Sequence, residues 1–248
     1  MRSIRWWEMG WLAVAGLFAG VLLLPINSAS SRAVESSADG FIPVAPAAAI
    51  HTALRLNLKI TNDWLDERDY ASAAQSAHVL LALAQLYSHQ STAPRWRDRT
   101  GALREALGRL LAAARAKDAA GCRKAVQECD ALLTELAKDP PPAARTADPA
   151  FKPVGDLRHW MLLLDGTYAD AKTADSKETE HLAYTIAEGA NAVQYLRSDP
   201  RWREKAATVR QAALQAAKLA HEGELAPARQ ALKAVYQRCQ ECHEGFKR

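Results

Sequence analysis

Apolar side chains return every three or four residues along most of this chain, the spacing that lines one face of an α-helix. Leu157, Met161, Leu164 and Tyr168 form one such stripe, and Leu232, Val235, Cys239, Cys242 and Phe246 form another. Short polar breaks interrupt the period near Arg68–Tyr70, Ser91–Ala93 and Lys117–Gly121, and again near Ala174–Ser176, Ser198–Asp199 and Glu222–Leu225. Pro200 follows Ser198-Asp199, the order of an N-cap and a first-turn proline. The pattern predicts two sets of four helices. Four helices with short connections pack as an antiparallel bundle, so the expected architecture is all-α, two such bundles in tandem.

Two stretches depart from the period. Near the start, Arg2 and Arg5 precede the apolar run Trp11–Leu24, which Pro25 ends. A basic opening followed by an apolar run too short for a full membrane span reads as an export signal that is removed. Trp6, Trp7 and Trp11 also suit a retained anchor at a membrane interface, which is the alternative. The other departure holds Pro140, Pro141 and Pro142, which cannot continue a helix and favour an extended spacer. The expected organisation is an export segment at 1–29, a small-residue linker at 30–48, a first bundle at 49–138, a proline-rich linker at 139–153 and a second bundle at 154–248.

The two bundles read as copies. Sliding the chain by 106 residues lays Pro94-Arg-Trp-Arg97 on Pro200-Arg-Trp-Arg203, and the register holds without gaps on both sides. Leu56, Leu58 and Thr61 fall on Leu162, Leu164 and Thr167, and Arg104, Arg123 and Glu135 fall on Arg210, Arg229 and Glu241.

Composition adds exclusions. The 248 residues are 49% apolar and 24% charged, as in a folded globular protein, and β-branched residues are sparse. The formal charge of +4 is spread among acidic residues rather than gathered in a stripe, so nucleic acid is not an expected partner. No Ser/His/Asp set, phosphate-cradling glycine loop or H-E-x-x-H occurs, so the chain is not expected to be an enzyme.

Chemistry concentrates near the end, in Cys239-Gln-Glu-Cys-His243. This C-x-x-C-H pentad is the attachment signature of c-type haem, and shuffling would produce it with a probability on the order of 10⁻³. Thiols three residues apart share a helix face and can form thioethers with two haem vinyl groups, and the next residue, His243, can ligate the iron as proximal ligand. Three other readings of the cysteine pair are a zinc site, a redox dithiol and a disulfide. Zinc needs four ligands and no second pair of suitable spacing exists, while the βαβ context of a thioredoxin-like dithiol is missing. Export favours haem over all three.

On these residues the second copy resembles the cytochrome c-prime family, four-helix bundles with haem attached at a C-x-x-C-H late in the last helix. The closing Cys239-Gln-Glu-Cys-His243-Glu-Gly-Phe246-Lys247 is similar to that family's C-x-x-C-H-x-x-aromatic-basic ending. The resemblance covers residues 154–248 and implies one covalent haem c. It also implies that the first helix of the copy faces the distal side of the iron, with methionine there in six-coordinate electron carriers and an apolar residue in five-coordinate gas binders. Met161 is then the candidate sixth ligand, and its alternative is a core filler. His159, His181 and His221 are further candidates. Arg158, one turn before Met161, corresponds to an arginine that meets a haem propionate in the family, although the spacing is three rather than four. Tandem duplication departs from the family and leaves the usual dimer open.

In the first copy Leu133, Leu136 and Ala137 stand where Cys239, Cys242 and His243 stand in the second, so no covalent haem is expected there. Cys122 and Cys129, seven apart on one helix, are roughly 10 Å from each other and read as buried free thiols. The leading expectation is an exported, periplasmic monohaem one-electron carrier that meets a redox partner protein. The alternatives are a five-coordinate haem protein for nitric oxide or carbon monoxide, and a helical interaction module whose pentad is incidental. A membrane partner is expected only if the N-terminal segment is retained, anchoring the protein at the inner membrane.

Overall fold

Five of the eight described helices begin where the sequence supplies a side-chain acceptor for the free N–H groups of a first turn. Asp69 accepts from Ser72, Asp118 from Ala120 and Gly121, Asp156 from His159, Asp175 from Glu178 and Asp199 from Arg201. The computed structural model describes residues 40–141 and 147–246, and within these the chain is all-α. The helices are α1 (Ala47–Asp66), α2 (Tyr70–Ser88), α3 (Pro94–Arg115), α4 (Ala119–Lys138), α5 (Leu157–Ala171), α6 (Ser176–Val193), α7 (Pro200–His221) and α8 (Leu225–Gly245). The expected export segment, most of the first linker and the middle of the second lie outside the described residues. Among the described residues no helix is long and apolar enough to cross a membrane.

The 106-residue register reappears in the helices themselves. The starts of α2 and α6, α3 and α7, and α4 and α8 are each 106 residues apart. Trp96 donates its indole N–H to the Tyr87 carbonyl at 3.1 Å, and Trp202 donates to the Val193 carbonyl, the corresponding atom, at 2.8 Å. The chain after α3 turns through Lys117 at φ 56°, and after α7 through Gly223 at φ 81°.

Short connections make sequence neighbours antiparallel neighbours. In the first half α1 packs on α2, α2 on α3, α3 on α4 and α4 back on α1. In the second half α5 packs on α6, α6 on α7 and α7 on α8, and α8 touches both α5 and α6. Contacts of α1 with α6 and of α2 with α5 join the halves, and a single cluster of buried apolar residues runs through both.

The ends of both expected linkers are packed. Phe41 is fully buried, stacks on Phe151 at 4.0 Å, and exchanges two backbone hydrogen bonds of 2.9 Å with Asp148. Buried Glu188 on α6 accepts the backbone N–H of Val44 and Ala45, and Asn191 donates to the Ile42 carbonyl. A linker reading built on small residues and prolines passes over Phe41 and Phe151, whose rings bury a large apolar area.

Candidate functional site

The orientation of α5 is set from its first turn. Trp160 is fully buried and donates its indole N–H to the Val154 carbonyl at 2.8 Å, which turns the adjoining face of the helix inward. Leu157, Met161 and Leu164 on that face line a cavity of about 280 Å³. Gly189 on α6 allows the close approach: a Cβ there would meet Leu164 Cδ2 at 2.8 Å. Ala190 and Val193 of α6, Arg197 of the following turn, and Trp202, Ala206 and Val209 of α7 continue the lining. Cys239, Cys242 and His243 of α8, with Phe246 at its end, complete it. The volume lies just below the roughly 300–1,000 Å³ range of ligand pockets. Its wall is nearly all apolar, while His243 and Arg197 reach solvent.

One cavity thus joins the C-x-x-C-H pentad of α8 to Met161 of α5. Arg158 is exposed and lies outside the lining. His159, His181 and His221 are also outside it: His159 bonds to Asp156 at 2.8 Å and stacks on His78, and His221 meets Glu180 at 3.1 Å. Cys122 and Cys129 are both buried in α4. A larger hollow between α3 and α4, about 780 Å³, is lined by four alanines and by the charged Arg109, Asp118, Lys124 and Glu128, of which Arg109 and Glu128 are engaged with each other at 2.6 Å.

The two cysteines of the pentad sit half-buried, and burial pushes the Cys239 thiol up to about 11, with the neighbouring Cys242 adding to the rise. Burial raises Cys242 as well, against the opposing pull of Lys205 and Arg197. Both groups are therefore neutral thiols at ordinary pH. Arg197 lies over the Trp202 ring, 4.7 Å from its centroid, and 5.8 Å from that of Phe246. The two rings meet edge to face at 5.2 Å.

The second half carries the smaller side chain at five positions around the cavity. Val193, Ala206, Val209, Cys239 and Cys242 line it, and 106 residues earlier stand Tyr87, Thr100, Leu103, Leu133 and Leu136. All five of these larger residues are buried, so the same space in the first half is filled by side chains.

A covalent haem is compatible with this donor set. Two thiols one helical turn apart face an apolar hollow, an imidazole follows directly, a thioether stands on the facing helix, and a cation lies at the mouth. Among the described residues no three His, Cys, Asp or Glu side chains converge as a metal site. Haem iron takes four of its ligands from the macrocycle and needs only axial groups from the chain. Reading the sequence alone missed Arg197, Trp202, Ala206 and Val209. For Ala206 and Val209 the signal lay in the repeat, where the larger Thr100 and Leu103 stand 106 residues earlier. The chain matches no protein-family model, no curated protein and no solved structure.

Proposed function

We propose that the protein is an exported monohaem c-type cytochrome that carries single electrons, built as two tandem cytochrome c-prime-like four-helix bundles of which only the second binds haem. The observation that carries this reading is the meeting of Cys239, Cys242 and His243 with Met161 on one apolar cavity. Cys239 and Cys242 would hold the haem through thioethers, and His243 from α8 and Met161 from α5 would be the chain's own ligands to it. Bound haem would supply a reversible ferric/ferrous couple, and a methionine thioether together with a histidine imidazole would favour the reduced state. Leu157, Leu164, Val193 and Val209 exclude water from the haem face and keep the site low in polarity, which also sets the potential. The couple would serve a redox partner protein in the periplasm, and no substrate site is required. The first four helices serve as a haem-free companion, their matching space filled by Tyr87, Leu133 and Leu136.

The test is optical spectroscopy of the protein matured in a host that attaches c-type haem. A haem chromophore that stays with the polypeptide through acid-acetone extraction is expected, and its absence overturns the reading. A low-spin ferrous spectrum indifferent to carbon monoxide is expected from the methionine ligand. A high-spin spectrum that shifts with carbon monoxide would instead assign the protein to gas binding.

A further inference from the structure

We propose that Arg197 anchors the carboxylate edge of the haem at the mouth of the cavity; this rests on the haem reading above. An ionised carboxylate buried without a partner among apolar side chains is strongly disfavoured, so the carboxylates of a ligand in this cavity must emerge where a cation can meet them. Arg197 is the one permanently charged side chain among the lining residues. Its guanidinium rests on Trp202, at 4.7 Å from the ring centroid, which leaves its N–H edges free to form a fork with a carboxylate. Trp202 is a rigid platform, because it is buried and its indole N–H is bound to the Val193 carbonyl.

Neighbouring cations are already engaged. Arg201 comes within 6.0 Å of the Phe246 ring centroid but pairs with Asp199 at 3.2 Å, and Lys205 meets Glu241 at 3.8 Å. Among the described residues no carboxylate pairs with Arg197. The repeat makes an independent point. In the first half, where the cavity space is filled, the position of Arg197 holds Ser91, a buried residue whose hydroxyl accepts from the Ala93 N–H, and that of Phe246 holds Pro140. The cation and part of its aromatic support occur only beside the cavity. Arg158, the arginine on α5 that the family pattern points to, is exposed and outside the lining.

The experiment compares the haem-loaded wild type with Arg197→Gln, Arg197→Lys and Arg158→Gln, measuring midpoint potential as a function of pH. Losing a cation beside a haem carboxylate raises the pH of its inflection by about 1–3 units, the range expected for an opposite charge within hydrogen-bonding distance. Arg197→Gln is expected to show that rise, Arg197→Lys a smaller one, and Arg158→Gln the wild-type profile. Loss of covalent haem in Arg197→Gln that Arg197→Lys restores has the same meaning. A profile for Arg197→Gln superimposed on wild type, or an inflection that moves only in Arg158→Gln, overturns the assignment while leaving the haem in place. Absence of covalent haem from the wild type overturns the cytochrome reading itself, so the two failures are told apart.

Discussion

Met161 stands on the α5 wall of the cavity that Cys239, Cys242 and His243 enter from α8, and substitution there separates ligand from filler. Met161→Ala in the haem-loaded protein is expected to turn a low-spin ferrous spectrum high-spin and open it to carbon monoxide. A spectrum that stays low-spin would assign the sixth ligand to another residue. Cys239 makes a second prediction for the haem-free protein. With its thiol pushed up to about 11, alkylation at pH 8 should be much slower in the folded chain than in urea, and should accelerate as pH approaches that value. Mass spectrometry of labelled peptides reads both rates. At the turn after α3, Lys117 holds a left-handed backbone at φ 56°, where the equivalent position after α7 is Gly223. Lys117→Gly is expected to stabilise the protein by about 1 kcal/mol, measured by urea titration, because only glycine adopts that conformation without cost.

At the scale of elements, the same helix pattern has two packings that differ in a few side chains. Tyr87 fills the first half between α2 and α3, its ring 4.8 Å from Trp96, whereas Val193 leaves the equivalent space open above Trp202. Tyr87→Val should therefore cost about 2–5 kcal/mol of unfolding free energy, as buried large-to-small changes do. The reverse substitution, Val193→Tyr, should fill the cavity and sharply reduce the yield of covalent haem, read as the ratio of haem absorbance to protein. The elements themselves were legible in the sequence: the turns near Lys117 and Glu222, and the helix start at Pro200, coincide with those in the structure. Local periodicity and capping chemistry suffice for that. The packed state of Phe41 and Phe151 was not legible, because two isolated aromatic residues carry no period and their burial depends on chain segments far apart in sequence.

Across the whole molecule, the contacts between halves are reciprocal. In the repeat α1 corresponds to α5 and α2 to α6, so α1 on α6 and α2 on α5 are the same contact made twice, as in an interface related by a two-fold axis. These faces of α1, α2, α5 and α6 are covered within the chain, and it is expected to sediment as a monomer across a range of concentration. Three histidines of the first half bear on its response to acid. Burial is the largest cause holding His51, His78 and His89 below the ordinary value of 6.5. The unfolded chain then takes up protons at a higher pH than the folded one, so stability is fully present above about 6.5 and declines as pH falls below it. Asp69 and Asp199 are lowered from 3.8, so their contribution is lost only in stronger acid. Thermal unfolding between pH 7.5 and 5 should show a falling midpoint, and a flat profile would count against the burial of these rings.

What the sequence determined by itself was local in origin: an all-helical chain, its turns, the 106-residue register and the C-x-x-C-H pentad with its thiols on one face of a helix. Each of these follows from residues within a few positions of one another, or from comparing the chain with itself. Tertiary structure decided which side chains share a space. It brought Met161 of α5, Arg197 of the turn after α6 and Trp202 of α7 to the cavity beside Cys239 and Cys242, and left Arg158 in solvent. It also closed the same space in the first half with Tyr87, Leu133 and Leu136. The physical reason is that a cavity is set by the volumes of side chains from several helices against the backbone separation their packing imposes, and no single stretch of sequence contains that sum.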